Sequence, residues 1–149
     1  MDQDNEKARL LQLFVEISII QQLAENKFNR LMPDGLHVSH FSVINHLVRM
    51  GDGRTPIQIA NSFQIARSTM TNTLMVLEKR GLIKVIPNPE DGRSKQVFLT
   101  KEARDFLERA EEVLAPELQR MSSELDLKEI FKIIPALEDM RKYLDNNRG

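Results

Sequence analysis

Residues 54–80 read RTPIQIANSFQIARSTMTNTLMVLEKR, and glycine follows at 81. Thr55-Pro56-Ile57-Gln58 is a helix start. Thr55 can cap, Pro56 suits the first helical position, where no N–H is needed, and Gln58 completes a capping box. The pattern predicts a short helix from about Pro56 to Phe63. Gln64-Ile65-Ala66 interrupts it. A second helix then runs to about Arg80 and stops at Gly81. Its inward positions are Met70, Thr73, Leu74 and Leu77. Its N-terminal residues Arg67, Ser68, Thr69, Thr71 and Asn72 are small or hydrogen-bonding. Two helices across a tight break, the shorter first, are the layout of a helix-turn-helix. A helix that enters a major groove needs polar tips for bases and phosphates and an apolar back for its own core. An ordinary amphipathic surface helix would show the same polar face.

Downstream, the periodicity changes. Leu82-Ile83-Lys84-Val85-Ile86 is rich in β-branched residues and reads as a strand. Pro87 to Ser94 make a turn, and Gln96 to Leu99 return with Val97 and Leu99 on one face. Thr100 caps the next helix, with Glu102 in its first turn. A two-stranded hairpin is marginal alone, so it must pack on the helices. A basic hairpin directly after a recognition helix is a wing. Arg93 and Lys95 are expected to reach a flanking phosphate or minor groove. Gly92 is expected to let the tip turn tightly, and Asp91 to orient Arg93 through a charge-assisted pair. The competing reading is a surface hairpin with scattered charges, whose exposed ion pairs are worth little.

Charge is distributed to match. The 149-residue chain has a net charge of −1, yet Arg54 to Arg104 holds nine Lys/Arg against four Asp/Glu. That middle is therefore +5 and the remainder −6. A basic middle between acidic flanks suits a localised anion-binding surface. Arg54, Lys79, Arg93 and Lys95 are expected to contact phosphates. Arg67, Ser68, Thr69, Thr71 and Asn72 are expected nearest the bases.

Other classes lose support. The absence of cysteine excludes disulfides and thiolate metal sites. No apolar run is long enough to span a membrane. The N-terminal MDQDNEKARLL lacks the basic-then-apolar order of a signal peptide, so a cytoplasmic location is expected. No Gly-rich phosphate loop, nucleophile elbow or His/carboxylate metal motif appears, so neither an enzyme nor a cofactor is expected.

The flanks are helical. Residues 6–31 repeat Leu10, Leu13, Phe14, Ile17, Ile20, Ala24, Phe28 and Leu31 at helical spacing, up to Pro33-Asp34-Gly35. Residues 38–50 form a second helix with Phe41, Ile44, Leu47 and Val48 inward. After the wing, a helix over 101–122 is expected to kink at Pro116. A last helix, capped at Asp126 and running to 146, is expected to bend at Pro135. These terminal helices hold much apolar surface for so small a lobe. They are read as packing against a second copy, which sets two recognition helices roughly 34 Å apart. Closure of a monomeric bundle is the alternative.

The run IQIANSFQIARSTMTNTLMVLEKRGLIKVIPNPEDGRSKQVFLT, residues 57–100, resembles the MarR (multiple antibiotic resistance regulator) family of winged-helix transcription regulators. LEKRGLI, the Asp-x-Arg of DGR and the closing FLT carry the resemblance. The flanking helices extend it over nearly the whole chain. It implies a homodimer on a pseudo-palindromic operator, usually a repressor, often released by a small anionic or phenolic effector. The family's wing arginine falls on Arg93 and its paired acid on Asp91. The chain departs from the pattern at Ala66 (often a capping serine), at Asn72 (often arginine) and at Met75 and Val76 (usually polar). His37 and His40 stand where Thr and Gln are frequent.

The expected fold is mostly α with a small β-hairpin wing, a winged helix-turn-helix core plus long terminal dimerisation helices. It forms one domain over 1–149, with a DNA-binding lobe at 36–100 and dimerisation helices at 6–31 and 101–146. The expected function is sequence-specific binding of double-stranded DNA by a ligand-responsive repressor. The alternative is a protein-interaction dimer of the same fold that has lost operator reading, kept open by Asn72, Met75 and Val76. An effector would sit between the dimer helices and the lobe, with Phe14, Phe28, His40 and Arg49 as candidates; packing is the default role of the two phenylalanines. His37 and His40 could share a metal across one helical face. Without an acidic partner at a telling spacing, Asp34 apart, no metal site is expected.

Overall fold

A computed structural model describes residues 2–148. Helix α1 (Gln3–Leu31) starts at Asp2, whose carboxylate accepts the Asp4 N–H. A tight turn at Pro33–Gly35 follows, with Asp34 (φ 62°) and Gly35 (φ 69°) left-handed. Helix α2 spans Val38–Met50. Helix α3 (Pro56–Phe63) has the expected reciprocal cap: Thr55 N–H donates to Gln58 Oε1 at 2.9 Å, and Gln58 N–H to Thr55 Oγ1 at 3.2 Å. Gln64 takes a left-handed φ of 57° and turns the chain into α4 (Arg67–Lys79).

Strand β1 (Ile83–Pro87) pairs antiparallel with β2 (Lys95–Leu99), Ile83 opposite Leu99 and Val85 opposite Val97. The linker before α3 adds a third rung. Val97 N–H donates to the Arg54 carbonyl, and Gly53 N–H to the Val97 carbonyl, both at 2.9 Å. Asp52 Oδ1 accepts the Leu99 N–H at 2.9 Å. The hairpin is thus fastened to the helices along its free edge, as a marginal two-stranded sheet requires. Thr100 then caps α5 (Lys101–Glu124), and its hydroxyl donates to the Gly81 carbonyl at 2.7 Å.

One core holds these elements. Leu36, Ile44, Leu47, Ile59, Met70, Leu77, Ile83, Val97 and Phe106 are fully buried in it. Ala103, Phe106, Leu107 and Ala110 bring the first half of α5 into the same cluster. The compact lobe therefore runs past residue 100.

Two expectations are corrected. Val48 does not face inward; it is 41% exposed. The buried face of α2 is Val43, Ile44, His46 and Leu47. Val48 follows Leu47 by one residue, and that step rotates it off a stripe centred on the i, i+4 pair Val43 and Leu47. The last helix is also two helices, α6 (Leu127–Phe131) and α7 (Ile134–Asn146). Pro135 starts α7 rather than bending a continuous helix. Its missing N–H costs nothing in a first turn. In α5, by contrast, the helix continues through Pro116.

Among the described residues, α1, α6 and α7 bury no side chain fully. Large apolar groups stand in the open on them: Leu11 at 67% and Leu23 at 65% on α1, with Phe131, Ile133 and Leu144 on or between α6 and α7. No helix among them is long and apolar enough to cross a membrane.

Candidate nucleic-acid interface

Helix α4 is held by one face. Met70, Leu74 and Leu77, at i, i+4 and i+7, are buried. The opposite stripe, Ser68, Asn72, Met75 and Lys79, is exposed. The N-cap is Ala66, which offers no side-chain acceptor, so no side chain caps the first N–H groups of α4. Thr71 donates its hydroxyl to the Arg67 carbonyl at 2.9 Å, and Thr73 to the Thr69 carbonyl at 3.1 Å. Each hydroxyl oxygen keeps acceptor capacity.

Between α4 and the hairpin lies a cleft of about 370 Å³. Arg67 and Thr71 of α4 line one side, with Thr55, Pro56 and Ile57 at the start of α3. Asp91, Arg93, Ser94 and Lys95 of the wing line the other. Three cations from two elements 25 or so residues apart in sequence thus converge on one opening. Ser68, Asn72 and Lys79 stand on the outer stripe of α4 beside it. Thr69 is exposed on the other flank, and Thr73 is turned toward α1.

The wing tip is built on backbone hydrogen bonds. Asp91 N–H donates to the Asn88 carbonyl at 3.2 Å, and Ser94 N–H to the Asp91 carbonyl at 3.0 Å. Asn88 closes the neck through its side chain, Nδ2 donating to Ser94 Oγ at 3.0 Å. The expected Asp91–Arg93 ion pair is not formed. Asp91 Oδ1 accepts the backbone N–H of Arg93 at 3.0 Å. This is an Asx turn, in which a short carboxylate closes onto the chain two residues on. The Arg93 guanidinium makes no ion pair among the described residues and is exposed. Gly92 is not left-handed, and a Cβ there would meet nothing within 4 Å. The tight turn expected of Gly92 is instead made by Asn88 and Asp91.

Arg54 is not a free arm. Its guanidinium donates to the Met50 carbonyl at the end of α2 at 3.2 Å, and its Nε is buried without a partner among the described residues. Its carbonyl is already a rung of the wing.

Residues 34–94 match the model of the MarR family. The fold is that of a winged helix-turn-helix, and this segment is similar to the MarR family. The transcriptional regulator BldR from Sulfolobus solfataricus is 26% identical, with a TM-score of 0.76 over 98% of this chain and 99% of BldR. A mutant MarR from E. coli complexed with operator DNA shares the fold at 22% identity, TM-score 0.76, over 94% of this chain and 99% of MarR. The organohalide-sensing RdhR regulator, in its 2,4-dichlorophenol-bound form, shares it at 19% identity, TM-score 0.79, over 90% of this chain and 80% of RdhR.

Within this fold, the four effector candidates are not brought together. Phe14 lines a cleft of about 510 Å³ between α1 and α7, with Ile17, Leu137, Met140 and Leu144. Phe28 lines a different one, of about 360 Å³, between α1 and the lobe. Gln21 and Glu25 of α1, Ser39 and Ser42 of α2, Phe63, and Met70 and Thr73 of α4 share it. His40 and Arg49 line neither cleft. His40 serves the start of α2, its Nδ1 accepting the His37 N–H at 2.9 Å. Burial, then His37 and Arg80, lower its pKa. The two rings are 5.8 Å apart, and among the described residues no group of three His, Cys, Asp or Glu is set to hold a metal ion.

Two buried polar groups escaped the sequence reading. His46 sits inside the lobe with its ring edge-on to Phe63 at 5.1 Å, and its Nε2 has no partner among the described residues. Burial, with Arg49 and Arg54 nearby, lowers its pKa. Glu117 is 10% exposed, paired with Lys27 of α1 at 2.5 Å and Arg120 at 3.4 Å. The Lys27 hydrogen bond holds its carboxyl below the usual range. A signal existed for Glu117: it falls on the stripe of Phe106, Ala110 and Leu114, an acid at an inward position.

Proposed function

We propose that the chain is a homodimeric, sequence-specific DNA-binding regulator that represses transcription from a pseudo-palindromic operator. The cleft joining Arg67 and Thr71 of α4 to Arg93 and Lys95 of the wing carries this reading. Arg93, Lys95 and Lys79 supply phosphate contacts. Arg67, Ser68, Thr71 and Asn72 stand nearest the base edges, with Thr69 at the flank of the same helix end. An amide at Asn72 can take adenine N6 and N7 together. Arg54 acts one step back, fastening the wing to α2. The E. coli MarR complexed with operator DNA, of the same fold, supports DNA as the partner.

The second copy packs on the apolar faces of α1, α6 and α7. Two-fold symmetry then sets two α4 helices roughly one DNA turn apart. Residues 36–110 form the DNA-binding lobe, and 6–31 with the remainder to 146 form the dimerisation helices. The effector enters the 360 Å³ cleft beside Phe28. Among the described residues, that cleft has Glu25 and no cation in its wall, so a neutral phenol suits it better than an anion. Met70 and Thr73 of α4 form part of the wall, so an occupant bears directly on the recognition helix. The dichlorophenol-bound RdhR regulator supports this class of ligand.

Selection of duplex DNA from a random pool by the purified protein tests the proposal. A palindromic motif with half-sites one turn apart is the expected result. Binding without a motif would leave a basic surface that does not read sequence. No binding at low salt would favour an interaction-only dimer, for which exposed Met75 and Val76 on α4 are the favouring observation.

A further inference from the structure

We propose that Met75 reads a thymine methyl group in the operator half-site. This rests on α4 being the base-reading helix. Met75 is 64% exposed, a large apolar group in open water and more exposed than its apolar neighbour Val76 at 39%. It continues the stripe of Ser68 and Asn72, at i+7 from the first and i+3 from the second, with Lys79 beyond it. It lies opposite the buried Met70, Leu74 and Leu77, so core packing does not explain it.

The chemistry of the groove narrows what it meets. A thioether gives no hydrogen bond of consequence to a base edge. The apolar group a B-DNA major groove presents is the C5-methyl of thymine. Methionine is long and pliable enough to settle on a methyl without demanding one geometry. Three residues along α4 are about 4.5 Å of axial rise, close to one base-pair step. Asn72 and Met75 therefore address neighbouring base pairs. With Asn72 on an adenine, the half-site holds a thymine one or two pairs away.

The surroundings favour DNA over a protein partner. Met75 borders a cleft of about 330 Å³ with Thr71, Glu78, Val85 and Lys95. Glu78 and Lys95 leave it near charge balance, so its apolar wall, Met75 with Val85, is what remains to be recognised. The cleft adjoins the opening lined by Arg67, Arg93 and Lys95. A duplex gripped by those cations would pass its bases under Met75.

The test replaces thymine by uracil, one position at a time, in the selected operator. This removes one methyl and leaves every hydrogen-bonding group and charge in place. Wild type is expected to bind one such duplex roughly fourfold more weakly, the effect of one buried methyl group. Met75→Ala is expected to bind the thymine and uracil duplexes alike, and Met75→Leu to keep the preference. Wild-type indifference to uracil at every thymine, or an undiminished penalty in Met75→Ala, would overturn the inference. A motif still selected in either case would leave operator reading by α4 standing. If no motif is selected at all, operator reading itself fails, and the role of Met75 falls with it.

Discussion

Asp91 and Arg93 lie two residues apart, and their relation is through the backbone: the carboxylate holds the turn, and the guanidinium stays exposed. This division explains why an acid can sit at the tip of a basic wing. Its charge is engaged with an N–H, and the arginine keeps all five donors. On α4, Asn72 stands on the outer stripe with no hydrogen bond from its side chain to the protein among the described residues. Asn72→Ala is expected to change the selected motif more than the overall affinity, measured by repeating the selection with the variant. His46 carries a different consequence. Its folded pKa lies below its ordinary 6.5, so below pH 6.5 the unfolded chain binds the extra proton first. Stability is therefore present above pH 6.5 and lost as pH falls toward the depressed value. His40, lowered by burial, His37 and Arg80, acts with the same sign. The melting temperature is expected to drop from pH 7.5 to 5.5, and His46→Leu to drop less, as read by circular dichroism.

Among the elements, α3 shows how far local chemistry reaches. Its cap, its proline and its end were legible because each depends on neighbours within four residues. Thr55→Ala removes one of two reciprocal bonds and is expected to cost about 1 kcal/mol in chemical denaturation. The wing was legible as a hairpin for the same reason, since alternation and turn residues are local. Its fastening was not legible. The Arg54–Val97 rung and the Asp52–Leu99 bond join residues more than 40 positions apart. The inward face of α2 was half legible: apolar spacing finds Ile44 and Leu47, but His46 goes inward because Phe63 of α3 packs edge-on to it. Pro135 left two outcomes open. A proline lacks its N–H whether it bends a helix or begins one; here the first helix ends before it, where the Lys132 and Ile133 N–H groups donate three residues back to the Glu129 and Ile130 carbonyls.

For the whole molecule, the basic middle and acidic flanks map onto different parts of the fold, the wing with α4 and the outer helices. The sequence marked the lobe as ending near Thr100. Burial of Ala103, Phe106, Leu107 and Ala110 extends it, because α5 must close the core before it can leave it. Outside the lobe, α1, α6 and α7 present apolar faces that the rest of the chain leaves exposed among the described residues. Leu11→Lys with Leu23→Lys, two exposed α1 positions outside the core, is expected to give a folded monomer in sedimentation. Operator affinity should fall roughly 100-fold or more, since two half-sites no longer bind as one unit. The four effector candidates were not legible as one cleft. A cleft is a property of three elements together, and Phe14 and Phe28 share a helix but open onto different clefts.

The most direct measurement is the salt dependence of operator affinity for wild type and for Arg93→Ala. Wild-type affinity should fall linearly with salt on logarithmic axes as phosphate counterions are released. Arg93→Ala should weaken binding to every sequence alike and flatten that slope by about one per protomer. Two parallel lines of equal affinity would mean that the wing does not touch DNA, and would contradict the cleft between α4 and the hairpin as the nucleic-acid interface.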